Sequence, residues 1–85
     1  MQDQITLNDK VVLVTGGSRG IGKGISRAFL SSNSDVVICG RSIPETLPEI
    51  DGKSARFINC DVREVEQIKA CIAEVVKEYG KLDVL

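Results

Sequence analysis

The chain has 85 residues, 42% of them hydrophobic and 27% charged, with a formal net charge of -1. That length holds one small domain or part of a larger one, and the composition is that of a globular protein rather than a disordered or fibrous one. Its basic residues are scattered, which excludes a basic face for nucleic acid or an anionic membrane surface and leaves any anion site to be local.

The opening Met1-Gln2-Asp3-Gln4 lacks the basic lead and apolar stretch of a signal peptide, and no run approaches the ~18 apolar residues of a membrane span, so the expected location is the cytoplasm. The first strong element is Val11-Val12-Leu13-Val14-Thr15, a β-branched run without alternation, as in a parallel strand buried on both faces. A glycine-rich turn follows, and then Ile21, Ile25, Ala28 and Phe29 recur at helical spacing, with Asn33 and Ser34 as the stop. Val36-Val37-Ile38-Cys39 reads as a second strand and Arg56-Phe57-Ile58-Asn59-Cys60 as a third. Between them Pro44, Pro48 and Gly52 leave room for about one helical turn around Glu45 to Ile50, so this crossover is expected to be mostly loop.

From Glu64 to Tyr79 the positions Val65, Ile68, Ile72, Val75, Val76 and Tyr79 mark one helical stripe, with Gly80 as a C-terminal cap. Leu82-Asp83-Val84-Leu85 then opens a fourth strand. Strands alternating with helices across short links imply a parallel sheet with right-handed crossovers and helices on both faces. The expected fold class is therefore α/β, a doubly wound parallel sheet of which residues 1–85 are the amino-terminal half.

Cys39, Cys60 and Cys71 show no C-x-x-C spacing, and the chain contains no histidine. Those facts argue against a disulfide scaffold, a zinc site and any His-dependent triad, and the thiols are expected to be buried and inert. No metal ligand is assigned.

The turn Thr15-Gly16-Gly17-Ser18-Arg19-Gly20-Ile21-Gly22 lies between a predicted strand and a predicted helix. Glycine lets the backbone approach a pyrophosphate closely, and the helix N-terminus offers unpaired N–H groups and a positive dipole end. A bare tight turn is the bland alternative, yet it does not need glycine at positions 16, 17, 20, 22 and 24. Gly17 to Lys23 also matches G-x-x-x-x-G-K of the P-loop, but Gly24 stands where a hydroxyl should hold Mg²⁺.

The pattern T-G-x-x-x-G-x-G, here Thr15, Gly16, Gly20 and Gly22, resembles the cofactor motif of short-chain dehydrogenases/reductases, a family with the Rossmann fold. Asp61-Val62 after the third strand resembles the family's adenine-contacting pair, Asp by its carboxylate and Val by its backbone; Asp61 has a compatible rival role as the N-cap of the next helix. Lys81-Leu82-Asp83-Val84-Leu85 is similar to the strand that, in the family, runs into Asn-Asn-Ala-Gly. The resemblance implies an oxidoreductase that moves hydride between a dinucleotide and an alcohol or carbonyl substrate, acting as a homo-oligomer when complete. Its Ser, Tyr and Lys, with Tyr-x-x-x-Lys on a later helix, are not in this segment, where Tyr79 is the sole tyrosine and position 83 is Asp. The segment alone is expected to be inactive and poorly stable. A non-catalytic nucleotide-binding module is the other alternative.

The residue after the second strand, where an acidic side chain would bond the adenosine ribose of NAD, is Gly40. Arg41 follows it and Arg19 lies in the glycine turn, so two guanidinium groups are expected to converge on a 2′-phosphate, making NADP(H) the expected cofactor. The expected cofactor-binding set is Gly16, Ser18, Arg19, Gly20, Ile21, Gly22, Arg41, Asp61 and Val62, with no catalytic residue among them.

Overall fold

The computed structural model describes residues 9–16 and 20–83, with Ile21 described by its backbone alone. In chain order the elements are β1 (Val11–Thr15), α1 (Gly20–Ser31), β2 (Asp35–Gly40), β3 (Glu49–Ile50), β4 (Lys53–Ser54), β5 (Arg56–Asn59) and α2 (Val65–Tyr79). β1, β2 and β5 form a parallel sheet in that order, with Val11 opposite Asp35 through Thr15 opposite Cys39, and Val37 opposite Arg56 through Gly40 opposite Asn59.

Because successive strand residues point to opposite faces, the unbroken apolar runs feed two cores at once. Val11, Leu13, Val37, Cys39 and Cys60 meet Cys71 and Val75 of α2 on one face. Val12, Val36 and Ile38 meet Leu30 of α1 and Ala55 on the other.

α1 turns differently from its sequence stripe. Ser26 and Leu30 are buried and Phe29 is half-buried, whereas Ala28 is exposed and Ile25 is 44% exposed. Ser26 and Leu30 lie one turn apart on a single line, and the small Ser26 permits close approach while its hydroxyl donates to the Gly22 carbonyl at 2.8 Å. The helix ends as expected: Asn33 takes a left-handed φ of 59°, and the N–H groups of Asn33 and Ser34 close onto the carbonyls of Leu30 and Phe29.

The helical turn expected around Glu45 to Ile50 is not formed. β3 and β4 make a small antiparallel hairpin, with Glu49 opposite Ser54 and Ile50 opposite Lys53. Its turn residues Asp51 and Gly52 have φ of 50° and 82°, the pair of left-handed residues of a type I′ turn, which Asp-Gly favours. Pro48 is buried, and Leu47 and Ile50 cover the α1 side of the sheet, so this crossover shares a face with α1.

α2 lies on the opposite face because the chain now reverses direction across the sheet. Strands added in the order β1, β2, β5 move one way, and a right-handed return past β1 must cross the other face. The return is visible: Asp83 N–H donates to the Val11 carbonyl at 2.9 Å on the free edge of β1. Residues 81–83 carry no strand assignment, and Val84 and Leu85 of the expected fourth strand lie outside the described residues.

Within α2 the buried line is Cys71 and Val75, flanked by half-buried Ile68, Ile72 and Tyr79; Val65 and Val76 are 62% and 42% exposed, so the inward stripe is narrower than the sequence suggested. Arg56 of β5 pairs with Glu74, at 3.4 Å, and with Glu78, one turn apart on α2. Gly80 caps the helix at φ 83°, its N–H bonded to the Val76 carbonyl at 2.7 Å.

Candidate functional site

β1, β2 and β5 end on the same side of the molecule, and there a cavity of about 620 Å³ opens, touched by Thr15, Gly16, Gly40, Arg41, Asp61 and Val62 among others. In doubly wound sheets ligands lie outside the carboxyl ends of the strands, beside the strand where the order reverses, which here is β1.

Gly16 and Gly20 stand at φ 66° and 49°, conformations that cost an L side chain roughly 1–2 kcal/mol. Among the described residues a Cβ on either would meet nothing within 4 Å, so backbone twist, not crowding, calls for glycine. Gly16 N–H reaches the Cys39 carbonyl at 3.4 Å, tying the turn to the end of β2. Gly20 begins α1, whose first turn carries no acidic residue, so its N-terminal N–H groups meet no competing carboxylate on the helix. Gly22 is half-buried and Gly24 is exposed. Ser18 and Arg19 lie outside the described residues, as does the Ile21 side chain, so the expected convergence of Arg19 with Arg41 falls there too.

At the end of β2, a Cβ on Gly40 would stand 4.0 Å from Phe57 Cε1, an ordinary contact. The position therefore accepts a Cβ without a clash. Arg41 beside it is exposed, and its carbonyl accepts from Asn59 Nδ2 at 2.9 Å, which anchors the backbone at the cavity rim.

Asp61 is engaged differently from expectation. It does not cap α2; the N-cap is Glu64, which makes no side-chain capping bond. Instead one Asp61 oxygen accepts Arg63 N–H at 2.9 Å and Nε at 3.1 Å, and the other accepts Arg63 Nη2 at 2.9 Å. A carboxylate bonding the N–H two residues on is an Asx turn, and that short closure leaves Asp61 outside capping reach of the helix. Arg63's side-chain hydrogen bond, then its backbone N–H, hold the Asp61 carboxyl down at about 2. Arg63, which also lines the cavity, was absent from the expected set; the Asp-x-Arg spacing was its sequence signal. Val62 is 47% exposed and lines the same cavity.

A second constellation was invisible in the spacing. Cys39, Cys60 and Cys71 are buried free thiols whose Sγ atoms all lie within 4.8 Å of one another. They border a second, adjoining apolar cavity of about 170 Å³. Burial pushes Cys39 up to about 12 and raises Cys71 as well. Among the described residues no helix is long and apolar enough to cross a membrane.

The family model for short chain dehydrogenases matches residues 10–85. L-fucose dehydrogenase of Bos taurus is 42% identical over 80 residues, covering 87% of this chain and 28% of its own length. A 3-oxoacyl-[acyl-carrier-protein] reductase of Chlamydia pneumoniae is 38% identical over 87 residues, covering 95% of this chain and 35% of its own. Among solved structures, aldohexose dehydrogenase of Thermoplasma acidophilum superimposes with a TM-score of 0.75 at 39% identity, over 89% of this chain and 28% of that one. The chain thus spans 28–35% of the length of these relatives. None of these findings supports the P-loop alternative.

Proposed function

The chain belongs to the short-chain dehydrogenase family, and on that premise we propose that it is the amino-terminal, cofactor-binding part of an NADP(H)-dependent oxidoreductase interconverting alcohols and carbonyls. The observation that carries this reading is the open carboxyl edge of the sheet. There Gly16 and Gly20 hold left-handed backbone, Gly40 offers no carboxylate, and Arg41 stands exposed at the rim.

In this reading Gly16, Gly20, Gly22 and the first N–H groups of α1, with Ser18, Arg19 and Ile21, hold the pyrophosphate. Close backbone approach and the helix dipole both favour the anion there. Arg41, joined by Arg19, binds the 2′-phosphate that a carboxylate at position 40 would repel. Val62 lies along the adenine, and the Asp61 carboxylate, kept ionised by Arg63, accepts from it. The bound nicotinamide supplies or accepts the hydride. This chain's residues bind and orient it, and the proton-transferring Ser, Tyr and Lys come from the remainder of a longer protein.

Arg41→Asp in the intact protein tests the assignment. NADPH affinity should fall by roughly tenfold or more while NADH affinity changes little, since one charge-assisted hydrogen bond is lost and a repulsive charge gained. Equal weakening of both cofactors, or tighter NADH than NADPH binding in the unmutated protein, would overturn it.

A further inference from the structure

Cys39 lies near the end of β2, Cys60 directly follows β5, and Cys71 faces inward from α2, so the fold alone assembles them. Their sulfurs lie within 4.8 Å of one another beside a cavity of about 170 Å³, whose other walls include Leu13, Val62 and Ile68. Sulfurs bound at about 2.3 Å to one three-coordinate centre stand roughly 4 Å apart if it is planar and roughly 3.5 Å apart if it is pyramidal, a distance these three side chains reach by closing in by about an ångström.

A disulfide between Cys39 and Cys60 fits less well. The register puts Cys39 opposite Ile58, with Cys60 two residues further along. Parallel strands about 4.8 Å apart with a rise of about 3.3 Å per residue put such diagonal neighbours' α-carbons roughly 8 Å apart, past the ~7 Å reach of a disulfide. The described residues place no fourth sulfur, histidine or carboxylate in the cluster, which leaves a three-coordinate ligand.

Charge then selects the ligand. With three thiolates, a monovalent ion leaves two net negative charges and a divalent ion leaves one, each buried among apolar side chains that cannot solvate it. A trivalent centre leaves none.

We propose that Cys39, Cys60 and Cys71 form a trithiol site for a trivalent thiophilic centre of the arsenite class. In the exchange As(OH)₃ + 3 RSH → As(SR)₃ + 3 H₂O, three As–O bonds break and three As–S bonds form. Each thiol proton leaves on a departing hydroxide as water, and no electron is transferred. Burial, which holds the Cys39 and Cys71 thiols protonated, does not oppose this step, because thiols enter as RSH and no proton is released to solvent. The reagent enters from the carboxyl edge of the sheet, where the larger cavity shares Thr15, Cys39, Cys60 and Val62 with the smaller one. The site does not depend on which dinucleotide is bound.

The test is anaerobic titration of the reduced intact protein with sodium arsenite, followed by native mass spectrometry and arsenic X-ray absorption. One arsenic per chain with three protons displaced and three sulfur neighbours is expected, and Cys71→Ala should weaken retention by at least about tenfold. No uptake, fewer than three sulfur neighbours, or unchanged retention in both Cys71→Ala and Cys39→Ala would overturn the site. Should either variant fail to fold, the sulfur count and stoichiometry of the unmutated protein decide alone.

Discussion

The two ends of the parallel sheet are built from the same strands and are finished in opposite ways. At the amino ends every strand is tied down. Val11 N–H donates to Asp83 Oδ2, Lys10 N–H to Ser34 Oγ, Asp35 pairs with Lys53, and Arg56 pairs with Glu74 and Glu78. At the carboxyl ends the chain turns away through Gly16, Gly40 with Arg41, and Asp61, leaving a cavity of about 620 Å³. The bonds at that end, from Gly16 N–H to the Cys39 carbonyl, from Asn59 to the Arg41 carbonyl and between Asp61 and Arg63, rim the cavity without filling it. The fold therefore separates the part that holds the sheet together from the part that is free to bind, and substitutions at the two ends should divide between stability and affinity.

The largest effect is expected beneath the sheet rather than at either end. Val75 is fully buried between α2 and the strands, and Val75→Ala removes two methyl groups and leaves a cavity. It should cost about 2 kcal/mol in urea unfolding of the intact protein with dinucleotide affinity unchanged. A parallel loss of affinity would show that the open end depends on core packing, breaking the division.

Gly16→Val places a β-branched side chain at φ 66°. Relieving roughly 1–2 kcal/mol of left-handed strain requires the turn to move, which corresponds to about a 5- to 30-fold loss of dinucleotide affinity. Calorimetric titration checks it, and unchanged affinity would show that the turn does not contact the cofactor.

Asp83 belongs to the stapled end. Its hydrogen bond from Val11 N–H, then its bond with Lys81, lower its pKa from the ordinary 3.8. A lowered carboxylate pKa contributes stability above the unfolded value and loses it as pH falls through the folded one, so this contribution should fade below about pH 4. Asp83→Asn keeps an oxygen for Val11 N–H but removes the charge. Its urea midpoint should be lower than that of the unmutated protein at neutral pH, and the gap should close in acid. A gap independent of pH would refute the electrostatic account.

The smallest effect is expected at Arg56, whose side chain is 38% exposed. Arg56→Ala should cost less than about 1 kcal/mol, because solvent and salt screen an exposed pair. The loss should shrink further in high salt, and a salt-independent loss would assign it to packing.

What the sequence determined was whatever lies in local pattern: the unbroken β-branched runs, the glycine turn between strand and helix, the stop at Asn33 and the cap at Gly80. Backbone chemistry at those positions admits few conformations, so neighbours in sequence suffice. Asp51-Gly52 belongs with them; its type I′ signal was present but obscured by the flanking prolines. Only the tertiary structure decided which side of each helix turned inward. α1 buries Ser26 and leaves Ile25 exposed, because contact is set by how closely a helix can approach the sheet and not by hydrophobicity alone. It likewise brought Cys39, Cys60 and Cys71 within 4.8 Å, whereas the Asp61–Arg63 pair, two residues apart, is local. Periodicity reports the face on which a residue lies within its own element. Strand register and helix docking, which depend on contacts far apart in sequence, decide what that face meets.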